Sequence, residues 1–93
     1  MRADLHVHSS YSNDGVSPPQ QIIERAIEVG LGCVAITDHN SFKAYFDVKD
    51  NGKIIVIPAE EVSSDEGHIL AYGIDSEIPR GMSIQNTIAA FQQ

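Results

Sequence analysis

Short apolar segments along the chain alternate with stretches that repeat at helical spacing. Residues 3–7 alternate between apolar and polar positions and predict a first strand. Two continuous apolar runs, 33–37 and 54–57, are typical of strands buried on both faces. Residues 68–72 form a further apolar segment, so the pattern predicts about four strands.

Helical spacing appears between and after these strands. Apolar residues recur every three or four positions from 19 to 29, with Ser17 as a capping residue and Gly30 at the end. A short helix within 41–50 and a final helix over 83–93 complete the prediction. Strands that alternate with helices imply parallel β-α-β units, which place functional side chains at the carboxyl ends of the strands.

Length and charge narrow the classes of protein that fit. The 93 residues are too few for a complete β/α barrel of about 200 residues. Asp and Glu outnumber Lys and Arg by 13 to 6, and this net charge of −7 argues against general nucleic-acid binding. A phosphorylated substrate remains compatible with the charge, because a bound metal ion reverses the local sign.

Cysteine content and hydropathy bear on location. The single cysteine, Cys33, excludes an internal disulfide and is expected to pack in a buried strand. No segment approaches the roughly 18 apolar residues that span a bilayer, and the N-terminus does not resemble a signal peptide. We therefore expect a cytoplasmic protein with no membrane association.

Histidines and carboxylates gather where the predicted strands end. His6 and His8 are two residues apart, so a strand would present both on one face, where two imidazoles can chelate a divalent metal ion. The other candidates beside strand ends are Asp14, His39, Glu60, Glu61 and His68. Imidazole and carboxylate ligands suit zinc, manganese or iron. The alternative is four unrelated histidines in the core or at the surface.

Four segments carry a family resemblance. Residues 4–15 (Asp-Leu-His-Val-His-Ser-Ser-Tyr-Ser-Asn-Asp-Gly) and 37–40 (Thr-Asp-His-Asn) resemble the first two motifs of the PHP superfamily, named for polymerase and histidinol phosphatase. Residues 58–63 (Pro-Ala-Glu-Glu-Val-Ser) and 67–70 (Gly-His-Ile-Leu) resemble the next two. The resemblance covers nearly the whole chain.

This resemblance implies an α/β fold, a distorted (βα)7 barrel with up to three divalent metal ions (manganese, zinc or iron) at one end. The implied ligands are His6, His8 and Glu61 for the first ion, Glu61 and His68 for the second, and Asp14 and His39 for the third. Glu60 competes for the role of Glu61, but the register of the third motif favours Glu61.

The chain also departs from the family pattern. Ala59 replaces the usual glycine of the third motif, and no histidine follows His68, so the later His-Pro and Asp-x-His motifs are absent. We therefore interpret residues 1–93 as one PHP-type domain, truncated at the C-terminus, that holds about four strands of a partial barrel.

The implied activity is metal-dependent hydrolysis of phosphate esters, with a small phosphorylated compound or a nucleotide as substrate. No catalytic residue is expected beyond the metal ligands. Two alternatives stay open: an inactive or weakly active metal-binding domain, and a module associated with a DNA polymerase. Asp38 would either orient a ligand or cap the loop that follows it. An uncovered strand edge would favour self-association.

One prediction follows from the spacing of His6 and His8. A His6→Ala/His8→Ala double variant should bind fewer metal ions per chain, because it lacks two imidazoles that would chelate one ion. Stoichiometry is measured by elemental analysis after dialysis against Mn²⁺. An unchanged stoichiometry would contradict the prediction.

Overall fold

The computed structural model of the protein describes residues 2–12 and 15–91. Strands and helices alternate at first, and a hairpin and a last helix follow. In chain order the elements are β1 (Ala3–Val7), α1 (Pro19–Glu28), β2 (Cys33–Ile36), α2 (Lys43–Val48), β3 (Ile55–Ile57), β4 (Ala59–Ser64), β5 (Gly67–Tyr72) and α3 (Ile84–Phe91).

The first three strands form a parallel sheet in the order β1-β2-β3. The buried strand β2 lies in the centre, as its continuous apolar sequence predicts. Helices α1 and α2 pack against each other and cover this sheet. The apolar cluster between them contains Ile23, Val34, Ile36, Ala44 and Val48.

Serine was the expected N-terminal cap of both α1 and α3, and the structure has it at α3 alone of these two helices. Ser83 caps α3, since its Oγ accepts the Asn86 N–H at 3.1 Å. The prediction that Ser17 caps α1 is wrong, because Pro18 occupies the cap position and makes no side-chain cap bond. The two consecutive prolines start the helix at Pro19, one residue too late for that cap.

Strands β4 and β5 differ from the expected parallel arrangement. They pair antiparallel, with Ser64 opposite Gly67, so only Asp65 and Glu66 connect them. A two-residue connection can join antiparallel strands only, since a parallel pair needs a long crossover. The sequence pattern does not predict β4, because two of its six residues are glutamates and the segment has no apolar run.

The hairpin is joined to the parallel sheet at the end of β2. The Glu61 N–H donates to the Asp38 carbonyl at 2.9 Å, and the Asn40 N–H donates to the Glu61 carbonyl at 2.9 Å. A parallel bridge pairs His39 with Glu61. The carboxyl end of β2 and the middle of β4 are therefore held side by side.

No helix in the described ranges is long and apolar enough to cross a membrane; the longest, α1, has 10 residues.

The packing of α1 predicts unequal costs for two substitutions in that helix. Ile23 is 1% exposed and belongs to the apolar cluster, whereas Ile27 is 39% exposed. Ile23→Ala should lower the free energy of unfolding by about 2–5 kcal/mol, because it leaves a cavity. Ile27→Ala is the matched control and should cost less than about 1 kcal/mol. Urea denaturation followed by circular dichroism measures both, and equal losses would contradict this packing.

Candidate metal centre

Four histidines and one glutamate meet at one end of the sheet. His6 lies in β1 and His8 directly follows it; His39 follows β2 and its loop, and His68 lies in β5. Glu61, in the middle of β4, reaches all four imidazoles. The parallel strands bring two of the ligand-bearing ends together, and the hairpin adds the other two residues from one side.

Each oxygen of the Glu61 carboxylate faces two imidazoles. Oε1 lies 2.8 Å from His6 Nε2 and 3.0 Å from His8 Nε2. Oε2 lies 3.0 Å from His68 Nδ1 and 3.4 Å from His39 Nδ1. The carboxylate thus stands between two pairs of nitrogen atoms, which is the arrangement of a group that can bridge two cations.

The imidazoles form a continuous row around this carboxylate. Neighbouring ring centroids are 5.3 Å apart for His6 and His8, 4.5 Å for His8 and His39, and 5.1 Å for His39 and His68. The outer side chains, His6 and His68, are 56% and 54% exposed, while the Glu61 side chain is 10% exposed. The centre therefore has a buried acidic middle and two ends open to solvent.

Opposing effects set the protonation of Glu61. Burial by itself raises the pKa of this carboxyl group, but hydrogen bonds with His6 and His8 and the nearby charge of His39 and His8 bring it below its usual value. The carboxylate is accordingly held in its ionised form, which is the form that binds metal ions.

Two sets of three side chains are close enough to hold metal ions. The ligand atoms of His6, His8 and Glu61 lie within 4.8 Å of one another, and those of His39, Glu61 and His68 do as well. Three protein ligands leave a coordination position open for a water or a substrate. The donor set therefore fits divalent metal ions that accept imidazole nitrogen and carboxylate oxygen.

The position of His39 bears on the grouping that the family resemblance implies. That grouping pairs His39 with Asp14, which lies outside the described residues. Within the described ranges, His39 shares Glu61 with His68. In the structure His39 is therefore a member of the second set, together with Glu61 and His68.

Small polar side chains hold His39 and Glu61 in place. The His39 N–H donates to Ser12 Oγ at 2.6 Å. Asn40 Nδ2 donates to Ser63 Oγ at 3.0 Å, and the Ser63 N–H donates back to Asn40 Oδ1 at 2.8 Å. Asn40 has a φ of 55°, a left-handed conformation that asparagine tolerates better than most residues. The sequence alone suggested no role for these three residues, although each lies inside one of the motifs that carry the family resemblance.

Glu60, the competitor of Glu61, points elsewhere. Successive side chains of a strand face opposite sides, and Glu60 Oε1 accepts the Ile78 N–H at 2.6 Å in the interior. Its Oε2 has no hydrogen-bond partner among the described residues. Burial raises its pKa to about 6, although the Ile78 bond opposes this and the charge of Glu77 adds to it. Glu61 is therefore the carboxylate that the fold brings to the histidines.

Several known proteins are similar to this chain. The family model of the PHP domain matches residues 4–83. An uncharacterised protein of Methanocaldococcus jannaschii is 32% identical over 106 aligned positions, which cover 100% of this chain and 62% of that protein. A PolC-type DNA polymerase III of Clostridium perfringens is 33% identical over 74% of this chain, which corresponds to 6% of the polymerase.

A solved structure supports the fold. It is a two-domain protein from Bacteroides vulgatus that contains a predicted PHP-like metal-dependent phosphoesterase. It superimposes with a TM-score of 0.83 and 19% identity, covering 99% of this chain and 32% of the other. The predicted mixed α/β class, with part of a PHP-type barrel, is thereby confirmed. The chain spans less than two thirds of the length of each of these relatives.

The environment of Glu60 predicts a dependence of stability on pH. Its pKa rises from the usual 4.5 to about 6 on folding, so the folded chain binds the proton more tightly than the unfolded chain. The unfolding free energy should therefore fall as the pH rises from about 4.5 to 6, by about 2 kcal/mol from this group. Glu60→Gln removes that loss, because its amide oxygen can still accept the Ile78 N–H.

Urea denaturation between about pH 4 and 8 measures the effect. Glu60→Gln should match the wild type near pH 4 and exceed its stability above about pH 6. The exposed Glu24→Gln is the matched control and should track the wild type throughout. A constant difference across this pH range would contradict the assignment.

Proposed function

Because this chain belongs to the PHP domain family, we propose that it hydrolyses phosphate esters with divalent metal ions held by His6, His8, His39, Glu61 and His68. The observation that carries the proposal is the single Glu61 carboxylate between four imidazoles from three separate segments of the chain. One carboxylate can neutralise only one protonated imidazole, so an ion-pair network alone gives no reason for four. Metal binding explains all four, because each imidazole nitrogen that faces Glu61 could be a metal ligand.

For metal-dependent ester hydrolysis, the main role of the protein side chains would be to bind the cations. When bound, divalent metal ions would lower the pKa of a water molecule and offset charge on the phosphate oxygens. Glu61 would fix the spacing between the two sets of ligands, since each of its oxygens faces one set. The open sides at His6 and His68 would admit the substrate and its water. We propose no catalytic residue outside the ligand set.

We propose a small phosphorylated compound or a nucleotide as the substrate. The net charge of −7 disfavours phosphate binding over the surface as a whole, so cations at the metal centre would also provide the place where substrate binds. The metal would be manganese, zinc or iron, since imidazole ligands outnumber carboxylates. The third ion remains a proposal that involves Asp14.

A second candidate function is a module that accompanies a DNA polymerase. The similarity to the Clostridium perfringens polymerase, over 74% of this chain, favours it. A metal-binding domain without turnover is the remaining alternative. Hydrolysis by the isolated chain separates the enzyme from both alternatives, because neither requires it.

We also propose a cytoplasmic location and self-association. Cys33 is free and buried, which agrees with a reducing compartment and with a packing role. Within the described ranges β1 lies at one edge of its sheet, and β5 has β4 as its single partner. Such strand edges can pair with a second copy of the chain.

Hydrolysis of p-nitrophenyl phosphate tests the proposed activity. We expect turnover with added Mn²⁺, loss of turnover after chelation, and recovery when Mn²⁺ returns. His6→Ala and Glu61→Gln should reduce the rate to background, because each removes a ligand. Glu24→Gln, an exposed carboxylate replaced by the same amide, is the matched control and should keep the wild-type rate.

Either of two results would contradict the proposed activity: a wild-type rate no higher than that of His6→Ala, or turnover that Glu61→Gln leaves unchanged.

The same assay, repeated over a range of protein concentrations, tests self-association. A rate per chain that rises with concentration would support self-association, and a constant rate with a monomeric mass in sedimentation would contradict it.

A further inference from the structure

We propose that Asp38 is a positioning residue. Its buried carboxylate binds Ser9 and thereby fixes the position of the neighbouring metal ligands. This inference rests on the metal centre of the proposed function. It goes further because it assigns a role to a side chain outside the two ligand sets. Sequence reasoning left Asp38 between two roles, orienting a ligand and capping the next loop, and the contacts favour the first.

Asp38 holds the segment that directly follows His8. Its Oδ1 accepts the backbone N–H of Ser9 at 2.5 Å, and its Oδ2 accepts the Ser9 hydroxyl at 2.5 Å. Both residues are 0% exposed. Two bonds from one carboxylate to one residue fix both the position and the rotation of Ser9. The direction in which the chain leaves His8 is fixed with them.

The backbone of Asp38 extends the same restraint to Glu61. The Asp38 carbonyl accepts the Glu61 N–H at 2.9 Å, and the Glu61 carbonyl accepts the Asn40 N–H at 2.9 Å. His39 lies between these two bonds. One residue therefore ties together the backbone at His8, His39 and Glu61, which come from three separate segments of the chain.

The bonds around Ser9 form a chain that leads away from the carboxylate. The Tyr11 N–H donates to Ser9 Oγ at 3.2 Å, while the Ser9 hydroxyl donates to Asp38. Because linked hydrogen bonds polarise one another, the carboxylate also strengthens the bond from Tyr11 to Ser9, in which it takes no direct part. The bonds from Ser9 to Asp38 and from Tyr11 to Ser9 thus fix the first residues after His8.

A charged side chain at position 38 indicates a role beyond hydrogen bonding to Ser9. A fully buried carboxylate is costly to desolvate, and a neutral side chain could accept hydrogen bonds from Ser9 at lower cost. Attraction between the carboxylate and nearby cations would offset this desolvation cost. The proposed metal ligand His39 is the next residue in the chain. Asp38 would then contribute to metal affinity through geometry and through charge.

Metal affinity, measured apart from turnover, tests the inference. Titration calorimetry gives the Mn²⁺ affinity, and the visible absorption spectrum of bound Co²⁺ reports the ligand geometry. Asp38→Ala should weaken Mn²⁺ binding by about 10–100-fold and alter the Co²⁺ spectrum. Asp38→Asn should keep the wild-type Co²⁺ spectrum and lose part of the affinity, because the amide can bind Ser9 but carries no charge. Ser9→Ala should show a smaller loss of affinity with a changed spectrum.

A core substitution separates positioning from folding. Ile23→Ala lowers stability in the cluster under α1, which contains none of the proposed ligands, and should leave the Mn²⁺ affinity of the folded protein unchanged. An Asp38→Ala variant that behaves like Ile23→Ala, less stable but with wild-type affinity and spectrum, would overturn the inference. If Asp38→Ala does not fold, wild-type affinity in both Asp38→Asn and Ser9→Ala would overturn it.

Failure of this inference is distinguishable from failure of the proposed function. A wild-type chain that binds Mn²⁺ but hydrolyses no ester contradicts the enzyme, whereas the losses in the Asp38 variants would still support positioning. A wild-type chain that binds neither Mn²⁺ nor Co²⁺ would overturn the metal centre and the role of Asp38 with it.

Discussion

The contact between the Glu61 carboxylate and four imidazoles is the interaction on which the candidate site depends. Its two oxygens lie 2.8–3.4 Å from four ring nitrogens. A carboxylate placed one residue earlier or later would face the opposite side of β4, since side chains alternate along a strand. The register of the hairpin against the end of β2 therefore decides whether a metal centre exists.

That register is set by backbone bonds rather than by the ligands. The bonds from Glu61 to Asp38 and from Asn40 to Glu61 hold β4 beside β2 without help from any imidazole. The reciprocal pair of Asn40 and Ser63 repeats this link two residues further along. The centre is thus largely preorganised, and the energy of metal binding is not spent on assembling it.

The residues of the candidate centre were easier to predict from the sequence than the architecture that brings them together. His6 and His8 were predictable because a spacing of two gives one face of a strand, and His39 because it follows a continuous apolar run within three residues. The hairpin was not predictable in the same way, since buried glutamates replace the apolar pattern that marks a strand. Likewise, no local signal reports that Ser9 would meet Asp38, which is 29 residues away in sequence.

The two adjacent glutamates show how environment rather than residue type decides chemistry. Glu61 is surrounded by imidazoles, which keep its pKa low and its charge available to cations. Glu60 is buried on the other side with one backbone donor, and the same burial raises its pKa to about 6. The proposed phosphate substrate would need a positive region on this acidic chain, and cations held by the histidines would provide one. Metal occupancy should then govern substrate binding as well as the chemical step, because without cations the centre presents a carboxylate to an anionic substrate.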